Sequence, residues 1–199
     1  MSIADQVYHY TARKMVHLQS IQDSGSGRGM LAELRRGVGK APGELPELWG
    51  MLFDRIPEEL TGKNGASPAE WAVYTALTLF ALHQQGNAKQ MHQEGVSIGS
   101  AAARLVEREE DTQRILNRLH LVATAVSPED LAYHLRGIIT LLRGKEISLD
   151  YAKLAKELYL FHYEETGNAI RLHWGRDFYR DLNRMKHQNT EEENDHDAE

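Results

Sequence analysis

The sequence predicts an all-α protein, a compact bundle of about nine short to medium helices joined by short loops. Three observations carry that prediction. Apolar residues recur at roughly helical spacing in segment after segment. No stretch alternates apolar and polar residues over β-branched or aromatic positions, as a half-buried strand would. Serine or aspartate heads one apolar run after another, where a helix needs an N-cap.

Residues 2–22 place Ile3, Val7, Tyr10, Met15, Leu18 and Ile21 on one face, and DSGSGRG then reads as a break with GSGRG as a flexible turn. A second helix, about 29–38, offers Met30, Leu31, Leu34 and Val38 and stops near Gly39 and Pro42. A third, near 46–55, carries Leu48, Trp49, Leu52 and Phe53. Ser67, Pro68 and Glu70 form the sharpest local signal: a serine cap, proline at the first helical position and glutamate at the third satisfy orphan amides reciprocally. The helix of about 68–85 that follows is apolar nearly all round, as the central helix of a core would be. Ser97, Asp111, Ser127 and Ser148 then read as caps of helices near 98–109, 112–124, 128–143 and 149–163. A last helix, about 168–186, holds Trp174, Phe178 and Tyr179. The helices make one domain over 1–186, divisible into packed halves of about 1–96 and 97–186. Residues 187–199 read as an acidic disordered tail.

Composition narrows the function. The chain has 199 residues, 41% hydrophobic and 26% charged, enough to fold unaided. Its longest apolar stretch, Trp71 to Leu82, falls far short of the roughly 20 residues that span a bilayer. The polar start MSIADQVYHYTARK does not resemble a secretory signal, so a cytoplasmic protein without membrane contact is expected. Zero cysteines exclude a disulfide framework, thiolate zinc sites and a cysteine nucleophile. Ten histidines yield no His-Glu-x-x-His and no i, i+4 pair, so no metal or other cofactor is expected. Phosphate-loop motifs are absent, and Asp150, Asp177 and Asp181 could make a hydrolytic site only by tertiary coincidence. Nothing argues for an enzyme.

Net charge is −6, but 187–199 holds six acids and no Lys or Arg, which leaves 23 basic and 23 acidic groups in 1–186. Arginines can then be sorted by whether a carboxylate lies three or four residues away. Arg180 and Arg184 have Asp177 and Asp181 there, and Arg114 has Glu110 and Asp111, so these read as salt-bridged surface. Arg28, Arg35, Arg118, Arg136, Arg171 and Arg176 have no such acid. Arg36 and Lys40 join the first cluster at i and i+4, and Arg136 and Arg143 share a face seven apart. Several of them converging on one groove would make a track for a sugar-phosphate chain.

The order of motifs resembles the CasB family, the small subunit of the type I-E CRISPR surveillance complex Cascade. The resemblance runs over LAELRRG at 31–37, LFALHQQ at 79–85, MHQEGVSIGSA at 91–101, QRILNRL at 113–119, LRGIITLLRG at 135–144, LDYAKLAKELY at 149–159 and IRLHWGRDFY at 170–179. It implies a non-catalytic helical protein, present as two copies beside the other Cascade subunits. It implies guide RNA and the displaced non-target single-stranded DNA as partners. Arg35 and Arg36 match the family's paired arginines, Arg114 its mid-chain arginine, Arg136 its Leu-Arg motif, and Arg171 and Arg176 its C-terminal motif. His83, Gln84, His92, Trp174, Phe178 and Tyr179 also match family positions but suit core or loop-fixing roles, and Trp49 and Trp71 suit the core. A pI near 5.9 is far from that of a strong free-standing nucleic-acid binder, so binding inside an assembly is expected. The alternative function is a helical adaptor that touches only protein.

Overall fold

Ser2 starts the first helix by accepting the Asp5 amide, and α1 (Ile3–Ile21) buries Val7, Tyr10, Met15 and Leu18 along one stripe. The computed structural model describes the backbone of residues 1–196 and the side chains of residues 1–188. α2 (Gly25–Arg36) begins four residues before the expected start, because Ser24 caps it by accepting the Gly27 amide. GSGRG is therefore the first turn of a helix and not a flexible turn. A Cβ on Gly27 would stand 1.9 Å from the Ile21 carbonyl oxygen, so glycine lets α2 start against the end of α1. Three glycines, each costing about 1 kcal/mol in a helix, hide that turn from a propensity reading.

The expected helix near 46–55 divides into a 3-10 turn (Pro46–Leu48) and the short α3 (Trp49–Phe53). Trp49, expected in the core, is 52% exposed, since it stands on the outer side of this single turn. α4 (Pro68–Gln84) has the expected capping box, with Ser67 Oγ accepting the Glu70 amide and the Glu70 carboxylate accepting the Ser67 amide. Only Pro68, Glu70, Trp71 and Leu82 of α4 escape full burial. α4 is the central helix, packed against α2 and α1 and against the later helices α7 (Pro128–Gly144) and α8 (Tyr151–Phe161).

Between them, α5 (Ile98–Ala103) is buried along its whole length and stops well short of 109. Residues 107–110 are all charged and exposed, which leaves no apolar face to extend it. α6 (Asp111–Ala123) forms a hairpin with α7. Asp111 is its first helical residue and not its cap, with the carboxylate turned back to the Arg108 amide. Ser127 caps α7 as expected. α8 starts at Tyr151 and is capped by Asp150, which accepts the Lys153 amide, while Ser148, two residues further back, donates to the Gln90 carbonyl.

α9 (Glu164–His196) starts earlier and continues ten residues past the expected end at 186, so the backbone of 187–196 is helical and not unstructured. Residues 197–199 lie outside the described residues. Among the described residues there is no strand, only an isolated parallel bridge between His92 and Leu149. The core runs without interruption from Tyr10, Met15 and Leu34 through Leu77 and Phe80 to Tyr151, Trp174 and Phe178. No helix of the described residues is long and apolar enough to cross a membrane.

Candidate nucleic-acid interface

A cation is free to grip a phosphate where the fold leaves its charge unanswered, so what each arginine touches decides its availability. On and after α2, Arg28 donates to the Asp23 carbonyl at 2.7 Å, closing the corner with α1. Arg36 pairs with Glu47 at 3.2 Å and Lys40 lies 3.9 Å from Glu44. Because α2 ends at Arg36 and the chain turns at Gly37, under the Tyr74 hydroxyl, Arg36 and Lys40 do not share a helical face as the i, i+4 spacing predicted. Arg35 is half-buried. It makes no ion pair or side-chain hydrogen bond with any described residue.

The α6–α7 hairpin is the part that converges. Arg118 of α6 lies across α7 at Gly137, 3.4 Å from where a Cβ there would stand. The missing side chain leaves the guanidinium room against α7, where Arg136 is the preceding residue. Both arginines are exposed and make no ion pair or side-chain hydrogen bond with any described residue. Tyr133, one turn earlier on α7, is 70% exposed. Sequence reading missed it, although an aromatic three residues before an unanswered arginine is the signal that finds it. Arg114, a turn before Arg118 on α6, pairs with Asp111 at 2.7 Å, as its neighbours foretold.

At the other end of α7, Arg143 donates to Gln85 Oε1 at 3.0 Å. Lys89, a second cation that sequence reading missed, donates to the Glu146 carbonyl at 3.0 Å. Gln84 fixes this loop as expected, donating to the Asn87 and Lys89 carbonyls and accepting the Met91 amide. His92 Nδ1 accepts the Tyr151 amide, and His83 Nδ1 meets the Tyr151 hydroxyl at 2.8 Å. Burial first, and then the fields of Arg143 and Lys89, push the His83 imidazole down to about 4, so it is neutral at pH 7.

On α9, Arg171 is half-buried and bonds the Ala123 carbonyl at 2.6 Å and Asn168 at 3.0 Å, while Arg176 is exposed and has no partner among the described residues. Arg180 pairs with Asp177 and Asp181, but Arg184 acts on Asp181 only through space. Trp174 and Phe178 are buried as expected; Tyr179 is 49% exposed and belongs to no core. None of the six arginines without a local acid pairs with a carboxylate among the described residues. Four of them, Arg35, Arg118, Arg136 and Arg176, are without partners altogether among the described residues. The fold brings Arg118 to Gly137 of α7, next in sequence to Arg136, and sets both Arg143 and Lys89 within the field of His83. It seats α2, with Arg28, Arg35 and Arg36, against α4 and α1.

The buried acids are structural: Asp150 caps α8, and Asp177 accepts the Ser97 hydroxyl and pairs with Arg180. No group of three His, Asp or Glu among the described residues is placed to hold a metal.

The family model described as CRISPR-associated protein Cse2 matches residues 30–179. CasB from Thermobifida fusca is similar at 34% identity and a TM-score of 0.76, over 87% of this chain and 97% of that one. CasB from Thermus thermophilus is 21% identical, TM-score 0.64, over 85% and 97% of the two chains. A chain of a structure described as a CRISPR RNA-guided surveillance complex is 21% identical, TM-score 0.68, over 94% and 99%. The last two likenesses concern the fold alone. No curated protein matches.

Proposed function

The chain belongs to the family of CRISPR-associated protein Cse2, and from that premise we propose that it is a non-catalytic subunit of the cytoplasmic type I-E surveillance complex Cascade. Its role there is to hold guide RNA and the displaced non-target strand, with other Cascade subunits and a second copy of itself as neighbours. The observation that carries this reading is the pair Arg118 and Arg136, unanswered by any described carboxylate, with the Arg118 guanidinium lying on α7 at Gly137, the residue after Arg136. Guanidinium forks fit phosphate oxygens without reading bases, and Tyr133 offers a ring face on which a base of any identity can stack.

Exchange of a DNA duplex for an RNA–DNA heteroduplex is nearly balanced, so a few backbone contacts to the freed strand tip it. A neutral body in a chain of pI 5.9 binds weakly alone, and tethering in the assembly supplies the local concentration.

The test titrates labelled single-stranded DNA at several salt concentrations. Neutralising about four phosphates gives a log–log salt slope near −3. Arg118→Ala with Arg136→Ala is expected to flatten the slope by about 1 to 1.5 and to shorten R-loop lifetime in the reconstituted complex. An unchanged slope, with the variant lost from the complex instead, would establish the protein-only adaptor.

A further inference from the structure

The turn of the α6–α7 hairpin, the start of α4 and the junction of α8 with α9 enclose a groove of about 780 Å³. That is the size that holds a small ligand or the side chains of a short peptide. Trp71, Leu131, Leu158 and Phe161 make its walls apolar. At its lip Val126 is 92% exposed. An aliphatic side chain left in water at the edge of an apolar recess marks a contact face.

One charge in the wall is unanswered. The Arg171 guanidinium donates to the Ala123 carbonyl and to Asn168 and lies 4.4 Å over the Phe161 ring. None of these partners is a carboxylate. Two of its five N–H groups are used, and the stacked, pinned fork loses little freedom on meeting an anion. The amino ends of α4, α7 and α9 also open on the groove, but each has its own first-turn acid in Glu70, Asp130 and Glu164. Of the charged side chains that line the groove, Arg171 is the one cation and Glu164 the one carboxylate, and the two make no ion pair.

We propose that this groove docks a segment of another protein chain that presents an apolar side chain beside a carboxylate. The apolar group fills the space between Trp71 and Phe161, and the carboxylate takes the remaining N–H groups of Arg171. Residues 190–199 of this chain carry carboxylates but no apolar side chain beyond Ala198, so they do not supply the anchor. A polynucleotide is better answered by the open arginines of α6 and α7 than by one pinned in an apolar wall. The inference does not depend on the nucleic-acid reading.

The test is nuclear magnetic resonance of the isotope-labelled full chain with three probes: acetyl-Ser-Asp-Leu-Phe-Asp-Ser-amide, its counterpart with lysine for aspartate, and oligo-dT. The acidic peptide is expected to shift the Trp71 indole, Val126 and Arg171 signals. Arg171→Gln should weaken it about tenfold, as loss of a charge-assisted hydrogen bond does. Should Arg171→Gln loosen the end of α6, Val126→Asp, at a position in open water, carries the same test and should weaken the peptide at least fivefold, or about 1 kcal/mol. Equal or tighter binding of the lysine peptide would put Glu164 in control and overturn the proposal. So would oligo-dT moving the same signals, or no shift with millimolar acidic peptide.

Discussion

Glu157 and His83 are both buried ionisable groups, and the fold pulls their proton affinities in opposite directions. Glu157 is 5% exposed; its Oε2 accepts the Trp174 indole N–H at 2.7 Å, and Lys153 stands 3.9 Å from both Glu157 and Asp177. Asp177 has Arg180 at 2.7 Å as well, whereas Glu157 has only the distant Lys153 ammonium among the described residues. Burial, helped by the fields of Asp177 and Asp150, raises Glu157 to about 7 against the opposing pull of Trp174 and Lys153. A folded value above the unfolded 4.5 means that the contribution to stability is complete below pH 4.5 and is lost as pH rises through 7. The loss is of order 3 kcal/mol. His83, lowered from 6.5 to about 4, has the opposite sign: the unfolded chain takes up a proton that the fold refuses, so stability is lost as pH falls from 6.5 through 4. Thermal unfolding at pH 5 and pH 8 separates them. Glu157→Gln keeps an acceptor for the indole and is expected to lose much less melting temperature than the parent on going from pH 5 to pH 8. An unchanged difference would show that Glu157 is ionised in the fold.

Helices meet at backbone distance in two places where glycine is the only residue that fits. A Cβ on Gly99 would stand 2.1 Å from the Trp174 carbonyl oxygen, where α5 lies on α9, whereas a Cβ on Gly175 meets nothing within 4 Å. Gly99→Ala is expected to destabilise by about 2 kcal/mol or more through overpacking. Gly175→Ala, in the interior of α9, is expected to stabilise by up to about 1 kcal/mol. Urea midpoints measure both, and a neutral Gly99→Ala would mean that α5 and α9 separate freely. The same contrast explains what could be read in advance at this scale. The caps at Ser67, Ser97 and Ser127 were legible because the signal lies within four residues. Ser148 misled because α8 starts at Tyr151 with Asp150 as its cap, and the Ser148 hydroxyl goes to Gln90, 58 residues away. The first turn of α2 was hidden because a contact with Ile21 outweighs the low propensity of three glycines.

For the molecule as a whole, net charge and binding surface are separable. Residues 190–199 hold six acids and no Lys or Arg, so removing them takes the formal charge from −6 to 0 while leaving every unpaired arginine in place. Their deletion is expected to tighten single-stranded DNA binding several-fold at about 0.02 M salt and hardly at all at about 0.3 M, where the screening length falls below 8 Å. Equal gains at both salts would point to a direct contact between that segment and the arginines. At this scale the all-α fold was legible from periodicity, and local acids foretold the ion pairs of Arg114 and Arg180 but not the unpaired state of Arg184. What sequence could not supply was tertiary: that Gly137 makes room for Arg118, that Lys89 and Arg143 both come within the field of His83, and that Arg171 turns into an apolar wall.

The loop that carries Lys89 has no helix, yet its main chain is fastened on both flanks. Leu149 donates to the Met91 carbonyl, Gln93 to that of Leu149, and Asp150 to that of Val96. The conformational entropy of ordering this segment is therefore lost when the chain folds and not when a partner arrives. Any partner that meets this edge therefore finds its main chain already in place.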